Sequence, residues 1–138
     1  METDDVVAIR MLADRYSDAA NRADFPAMAA VYTEDAELIA FGNRFNGRAA
    51  IEKVFAETVG ALEFVNQICT AGVIEVKGDR ATARWSVTEF VKRRGRDQIE
   101  IFIGTYEDEA VRTPQGWLFS RRVLSERAKA RLDAQFKR

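Results

Sequence analysis

The sequence contains no histidine among its 138 residues. Histidine is the commonest metal ligand and the side chain that most often transfers protons near neutral pH, so its absence argues against catalytic triads and zinc hydrolysis. Any acid–base chemistry must then use Asp, Glu, Tyr, Lys or Cys with a pKa shifted by its surroundings. We expect neither a metal nor another cofactor.

Cysteine is almost as scarce. Cys69 stands alone, so no internal disulfide can form, which fits a reducing compartment. No apolar run approaches the roughly 18 residues that a membrane span requires. The acidic start, Met1–Asp5, lacks the basic and apolar regions of a signal peptide. We therefore expect a cytoplasmic protein.

An excess of charge of either sign is also missing. The sequence has 21 basic and 22 acidic residues, for a net charge of -1. Such a balance leaves no electrostatic footprint for nucleic acid or an anionic membrane. With 47% hydrophobic residues, the chain can bury a core without disulfides. We expect one domain over residues 1–138, with a small molecule or another protein chain as its partner.

The first half of the chain shows helical periodicity. Apolar residues recur three and four apart over residues 4–22, which predicts an amphipathic helix. A second, short helix is expected after Asp24, with Tyr32 on its inward side and Thr33–Asp35 at its end. A strand, two glycine corners and a third helix follow: Ala36–Phe41, then Gly42 and Gly47, then Arg48 to about Gly60.

After residue 62 the period changes to two, which indicates strands joined by hairpins. The predicted strands are Phe64–Ala71, Val73–Val76, Ala81–Lys92, Gln98–Val111 and Trp117–Leu124. Beyond Ser125, apolar residues at intervals of four predict a C-terminal helix. Helices followed by a meander indicate an α+β domain, in which a curved mixed or antiparallel sheet wraps around the N-terminal helices.

Several phrases resemble the SnoaL-like, scytalone dehydratase-like branch of the nuclear transport factor 2-like superfamily: Tyr16–Asp35, Phe45–Ile51, Val73–Ala81, Tyr106–Glu109, Gly116-Trp117 and Arg121-Arg122. The resemblance covers nearly the whole chain. It implies a cone-shaped barrel, usually homodimeric, around a mostly apolar pocket for a small polycyclic, aromatic or steroid-like molecule. Enzymes of this kind desolvate an acid–base group for dehydration, isomerisation or cyclisation without a cofactor, as lyases or isomerases.

The Asp–His pair of the dehydratase-like members is missing from this chain. Their aspartate position on the first helix carries Asn21, and their histidine position holds Gln67, or Asn66 if the alignment slips by one. The position of a second histidine falls nearest Trp85. An enzyme that acts by that pair is therefore disfavoured. A non-catalytic binding or assembly module is the alternative, and a small subunit of a ring-hydroxylating oxygenase is a third possibility.

Two carboxylates are candidates for the general base. Asp24 is either a helix N-cap or the base. Glu89 shares a strand face with Trp85, and it is either an inward carboxylate at the pocket rim or a surface glutamate paired across the sheet.

The candidate substrate-binding residues are Tyr16, Asn21, Tyr32, Phe41, Asn66, Gln67, Trp85 and Phe102. Tyr16 is either a core tyrosine or a hydrogen-bond donor to an oxyanion. Asn66 and Gln67 are adjacent and must face opposite sides of the sheet, so one of them points inward. Cys69 shares the face of Gln67 and is expected to be buried and inert. Phe102 is first of all a core or dimer-face aromatic.

Overall fold

The N-terminal helices form where the periodicity places them. The structure, a computed structural model, describes residues 2–137. Helix α1 (Glu2–Asn21) buries a single stripe that includes Ile9, Leu12 and Tyr16. Helix α2 (Phe25–Ala29) begins after Asp24, and Asp24 Oδ1 accepts a hydrogen bond from the Ala27 amide at 3.0 Å. The expected N-cap is therefore confirmed.

Six strands form one curved sheet in the order β2-β1-β6-β5-β4-β3. Their bounds are β1 Tyr32–Ala40, β2 Asn43–Asn46, β3 Leu62–Lys77, β4 Arg80–Arg93, β5 Gln98–Thr113 and β6 Gly116–Asp133. Strands β1 and β6 run parallel and the other neighbours run antiparallel. Helix α3 (Arg48–Thr58) connects β2 to β3. The expected α+β architecture, with helices packed against a curved mixed sheet, is confirmed.

Strand β1 begins earlier than the sequence predicted. Tyr32 was placed on the second helix and Thr33–Asp35 at its end, and both assignments are wrong. Tyr32 instead pairs with Phe119 of β6, and its side chain is fully buried. Pairing with a distant strand overrides the local helical pattern here. The short strand β2, which pairs with the end of β1, was also missed.

The predicted C-terminal helix is wrong. Strand β6 continues to Asp133, and its final residues pair with β5 from Gln98 to Ile103. Backbone hydrogen bonds to an existing strand outweigh an apolar period of four among many charges. The two strands predicted between residues 64 and 76 form the single strand β3, with an irregularity in its pairing between Thr70 and Val73.

The helices cover one face of the sheet, called the inner face below. Inward side chains alternate along the strands, as Val65 and Gln67 on β3 and Trp85 and Val87 on β4 show. Helix α1 packs against β3, so the residues of this helix lie opposite the inward side chains of an edge strand. Within residues 2–137, no helix combines the length and apolarity that crossing a membrane requires.

Candidate functional site

A cavity of about 420 Å³ opens between α1, α3 and the inner face of the sheet. Most of its wall is apolar and includes Ala20, Met28, Leu38, Phe55, Val65, Val91 and Leu124. Four polar groups lie among these side chains, Tyr16, Gln67, Glu89 and Tyr106, and three more polar residues line the cavity: Glu57, Thr58 and Arg93. An apolar cavity of this size with a few convergent polar groups is typical of a small-molecule site. It is called the inner cavity below.

Glu89 and Gln67 face each other across strands β4 and β3. Their Cα atoms are direct cross-strand partners, and Gln67 Nε2 donates a hydrogen bond to Glu89 Oε1 at 2.8 Å. The same Nε2 lies 3.4 Å from the Tyr106 hydroxyl. Glu89 Oε2 accepts no hydrogen bond from residues 2–137. One carboxyl oxygen is therefore held while the other is available to a ligand.

Burial changes the acidity of the polar groups in the inner cavity. Desolvation raises the pKa of Glu89 above its ordinary value, although the Gln67 amide acts to lower it. Desolvation also raises the pKa values of Tyr16 and Tyr106. The two phenols thus stay protonated as hydrogen-bond donors, and the glutamate is the group whose proton is most readily exchanged.

Helix α1 fixes Gln67 from the side opposite Glu89. Ser17 Oγ donates to Gln67 Oε1 at 2.8 Å. Asn21 Oδ1 accepts from the Gln67 backbone N–H at 2.6 Å, and Asn21 Nδ2 donates to the Gln67 carbonyl at 3.4 Å. Because β3 is an edge strand, its outer backbone groups lack a strand partner, and the Asn21 amide takes that place. Ser17 and Asn21 are four residues apart and share one helix face.

A buried ion pair lies behind the tyrosines of the inner cavity. Arg122 Nε and Nη2 donate to the two Asp108 carboxylate oxygens at 2.8 and 3.0 Å, and Trp85 Nε1 donates to Asp108 Oδ2 at 2.7 Å. The Arg122 guanidinium lies 3.7 Å from the ring centroid of Tyr106 and 4.7 Å from that of Tyr16. Burial is the largest single influence on the pKa of Arg122 and acts to lower it, but the raising influences, led by the charge of Asp108, together keep that pKa above its ordinary value. Desolvation raises the pKa of Asp108 as well, against the lowering effect of the Arg122 charge, and the two oxygens of Asp108 accept from three donors.

Four of the candidate site residues line the inner cavity: Tyr16, Phe41, Gln67 and Glu89. Phe102 lines an adjoining cavity that also contains Glu89. Asn21 reaches the site only through the backbone of Gln67. Of the adjacent pair on β3, Gln67 is the inward residue, and Asn66 is exposed on the other face.

The other three candidates lie away from the inner cavity. The Asp24 carboxylate caps α2 and forms an ion pair with Arg22 at 3.3 Å. Trp85 is buried against Asp108. Tyr32 packs edge-on against Tyr16, with ring centroids 6.3 Å apart. The Tyr32 hydroxyl has no hydrogen-bond partner among the described residues.

Sequence reasoning missed the contributions of Ser17, Tyr106, Asp108 and Arg122. Ser17 could have been found, because it precedes Asn21 by one helical turn. Asp108 lies two residues after Tyr106 on β5 and faces inward with it, whereas its neighbours Glu107 and Glu109 are exposed. That alternation marks Asp108 as an inward carboxylate in need of a cation. Burial raises the pKa of Cys69 to about 11, which fits the inert thiol that was expected.

Comparison with known proteins gives the same fold. The family model of the SnoaL-like domain matches residues 1–123, and no curated protein matches the sequence. A crystal structure of a candidate scytalone dehydratase from Novosphingobium aromaticivorans is 23% identical, with 99% of this chain and 91% of that chain covered and a TM-score of 0.87. A hexachlorocyclohexane dehydrochlorinase, LinA type 2, is 16% identical, with coverage of 99% and 95% and a TM-score of 0.88.

A third structure has the highest identity of the three. It is an NTF2-like protein with a cystatin-like fold from Novosphingobium aromaticivorans, 29% identical, with 88% of this chain and 81% of that chain covered and a TM-score of 0.78. The family match, the mixed sheet around the helices and the cavity between them agree with one another. The chain belongs to the SnoaL-like domain family and has the NTF2-like fold.

Proposed function

We propose that the protein binds a small, mostly apolar molecule in the inner cavity and transfers a proton on it without a cofactor, with Glu89 as the acid–base group. The observation that carries the proposal is the setting of Glu89, a desolvated carboxyl with one oxygen free beside an apolar cavity. Two similar structures bear the names of a dehydratase and a dehydrochlorinase. These names support elimination or isomerisation chemistry of the same general kind.

The polar groups suit proton abstraction next to a carbonyl group. The Glu89 carboxylate removes a proton from the carbon beside the carbonyl, and the electron pair of the broken C–H bond moves to the carbonyl oxygen. Tyr16 and Tyr106, both protonated, are placed to donate hydrogen bonds to that oxygen. In a β,γ-unsaturated carbonyl compound, Glu89 then returns the proton to the γ carbon as the double bond moves into conjugation with the carbonyl, which gives isomerisation. If a hydroxyl group leaves with that proton as water, the result is dehydration.

The hydrogen bonds around Glu89 accommodate both of its protonation states. When Glu89 is ionised, Gln67 Nε2 donates to it and Ser17 donates to Gln67 Oε1. When Glu89 is protonated, the Gln67 amide can rotate so that Gln67 Oε1 accepts a hydrogen bond from the Glu89 carboxyl. Gln67 Nε2 then donates to the Ser17 hydroxyl. Asp108, with three fixed donors, has no such freedom. A general acid–base group needs this freedom, which favours Glu89.

Asp24 is the weaker candidate for the base. Its Oδ1 is engaged with the Ala27 amide and its Oδ2 with Arg22, and it does not line the inner cavity. A binding module without catalysis is the second candidate function. It is favoured by Gln67 and Asn21, whose amides cannot transfer protons as the His and Asp of the dehydratase-like members would.

Deuterium exchange into 2-tetralone, a neutral bicyclic ketone with acidic protons beside its carbonyl, tests the proposal. The ketone would be incubated in D2O with the wild type, Glu89→Gln or Asp24→Asn, and loss of the proton signal followed by NMR. We expect the wild type and Asp24→Asn to accelerate exchange above buffer and Glu89→Gln not to. Binding is followed separately by the change in melting temperature.

Each other outcome has a defined meaning. Binding of the ketone without any exchange would support the non-catalytic module and overturn the acid–base assignment. Equal exchange by the wild type and Glu89→Gln would overturn Glu89 as the base. Loss of exchange in Asp24→Asn, with the fold verified by circular dichroism, would move the base to Asp24.

A further inference from the structure

A second cavity, of about 590 Å³, adjoins the inner cavity at Glu89. The two cavities share Phe41, Glu89, Val91 and Arg93. The second one lies over the ends of β4, β5 and β6, and we call it the outer compartment. It is defined here by Glu89, Arg93, Glu100, Phe102, Lys129 and Arg131. Glu89 thus stands at the junction of an apolar cavity and a charged one.

Strand register explains why these charges meet on the inner face. Glu89 pairs with Phe102, which pairs with Lys129. One row further along, Val91 pairs with Glu100, which pairs with Arg131. Directly paired residues point to the same side of a sheet. The C-terminal half of β6 therefore supplies two cations to the face that carries Glu89.

The outer compartment holds three cations and, with Glu89, three carboxylates, so its charge is balanced while Glu89 is ionised. Besides Glu89, it contains the cations Arg93, Lys129 and Arg131 and the carboxylates Glu100 and Glu126. Two of its ion pairs are loose: Arg131 lies 3.6 Å from Glu100, and Lys129 lies 3.5 Å from Glu126. Arg93 instead donates a close hydrogen bond from Nε to Glu100 Oε2. The side chains of Arg131 and Lys129 are 59% and 69% exposed. Exposed pairs of this kind contribute little free energy, so an incoming anion can replace the carboxylate partner.

We propose that the outer compartment binds the carboxylate end of an elongated substrate whose apolar body occupies the inner cavity. The reacting carbon then lies beside Glu89, and Arg93, Lys129 and Arg131 hold the carboxylate. The inference rests on the proposed function, since it takes Glu89 as the reacting group. It adds the substrate class, an apolar carbonyl or hydroxyl compound with an acid group at its far end.

The sheet sets the distance between the two ends of such a substrate. From Glu89 to Arg131 the path crosses two strands and advances two residues, which corresponds to roughly 12 Å between Cα atoms at ordinary sheet spacings. Because the side chains reach toward each other, we expect the carboxylate roughly 10 Å from the reacting carbon, or about eight bonds of an extended chain. A compound with its acid group directly on the ring body would not reach the cations.

Two matched pairs of ligands test the inference. The long pair is 6-(2-naphthyl)hexanoate and its primary amide, and the short pair is 2-naphthylacetate and its amide. Affinities would be measured by calorimetry for the wild type, for Arg93→Gln/Arg131→Gln and for the control Arg44→Gln/Arg80→Gln. The control removes the same charge from other parts of the sheet, since Arg44 lies on β2 and Arg80 at the start of β4.

We expect the wild type to bind the long carboxylate about tenfold more tightly than the long amide, or about 1.4 kcal/mol, because exposed ion pairs are individually weak. The preference of the wild type for the carboxylate should shrink as salt rises, and it should be absent for the short pair. It should vanish in Arg93→Gln/Arg131→Gln and persist in the control variant. Binding of the amides without a carboxylate preference would overturn this inference and leave the proposed function standing. A preference that survives Arg93→Gln/Arg131→Gln would also overturn it. Failure of all four ligands to bind would overturn both.

Discussion

Two carboxylates on the inner face, Glu89 and Asp108, are both desolvated but differ in the donors around them. Asp108 has a cation and three N–H donors within hydrogen-bond distance. Glu89 has one amide donor, from Gln67, and a free oxygen. At the scale of the residue, the same chemical group is therefore structural at one position and suited to proton transfer at the other.

The raised pKa of Glu89 predicts how the stability of a variant depends on pH. The unfolded carboxyl has an ordinary pKa of 4.5, and burial raises the folded value. The folded protein thus binds this proton more tightly, so stability falls as pH rises from the unfolded pKa through the folded one and stays reduced above it. Glu89→Gln removes this penalty, which is about 1.4 kcal/mol for each unit by which the pKa is raised.

Thermal melts between pH 4 and pH 8 measure this effect. We expect Glu89→Gln to melt at a higher temperature than the wild type at pH 8 and at the same temperature at pH 4. The glutamine keeps an oxygen that can accept from Gln67, so the comparison isolates the charge. A difference in melting temperature between Glu89→Gln and the wild type that stays constant across the pH range would contradict the prediction.

The Ser17 hydroxyl is predicted to help the protonated state of Glu89. In Ser17→Ala the rotated Gln67 amide has no acceptor, and a buried N–H without a partner is less tolerated than a buried carbonyl without one. The substitution should therefore lower the pKa of Glu89, and the rate of deuterium exchange into 2-tetralone should begin to rise with pH at a lower pH than in the wild type. Ser17→Thr keeps the hydroxyl and should keep the wild-type profile. An unchanged profile in Ser17→Ala would show that Ser17 has no part in the titration.

At the scale of the element, the sequence predicted well what local patterns determine. Helices α1 and α3 and strands β4 and β5 lie within a few residues of their predicted bounds. Their amphipathic stripe or alternation agrees with their burial, and glycine turns separate the strands. The end of β6 and the start of β1 were wrong because partners far along the chain decide them, β5 in one case and β6 in the other.

The candidate site was predictable to a similar extent. Gln67, Glu89 and Tyr16 were found because each is a polar group on an otherwise apolar stripe or strand face. The roles of Tyr106 and Arg122 could not be read from spacing, since Arg122 depends on Asp108 across the sheet and Tyr106 on Gln67 two strands away. The local sequence pattern predicts which face of a strand a side chain lies on, but only the pairing register of the strands shows which residues it contacts there.

The turn between β1 and β2 contains a strained residue at the edge of the inner cavity. Phe41 has a φ of +57° and Gly42 a φ of +75°, and Ala40 pairs with Asn43 on either side of them. Two consecutive left-handed residues define a hairpin turn that favours Asn-Gly. A left-handed residue other than glycine costs about 1–2 kcal/mol. Phe41 is nevertheless 62% exposed, so little burial offsets that strain.

Phe41→Asn should therefore raise the free energy of unfolding by about 1 kcal/mol, because asparagine tolerates this conformation better. It should also weaken ligand binding, because the ring is part of the wall of both cavities. Chemical denaturation and calorimetry with 2-tetralone measure the two effects. Phe41→Ala is the control, since it removes the ring but keeps the strain. Destabilisation in Phe41→Asn would contradict the strain argument.

At the scale of the whole molecule, the charge of Glu89 links ligand binding to pH. A neutral ketone in the inner cavity excludes water from Glu89, which disfavours the carboxylate, and the protonated acid can donate a hydrogen bond to the ketone. Both effects favour binding below the raised pKa of Glu89. A ligand at a hundred times its dissociation constant stabilises the folded chain by about 2.7 kcal/mol, so a change in affinity with pH appears as a change in melting temperature.

We therefore expect a fixed concentration of 2-tetralone to raise the melting temperature of the wild type more at pH 5 than at pH 8. Glu89→Gln carries no charge at either pH and should show the same increase at both. Asp24→Asn, with its carboxylate removed outside the inner cavity, should keep the dependence of the wild type. If Glu89→Gln retained the pH dependence, the linkage would belong to another group, and the desolvated carboxyl would lose its place as the centre of the site.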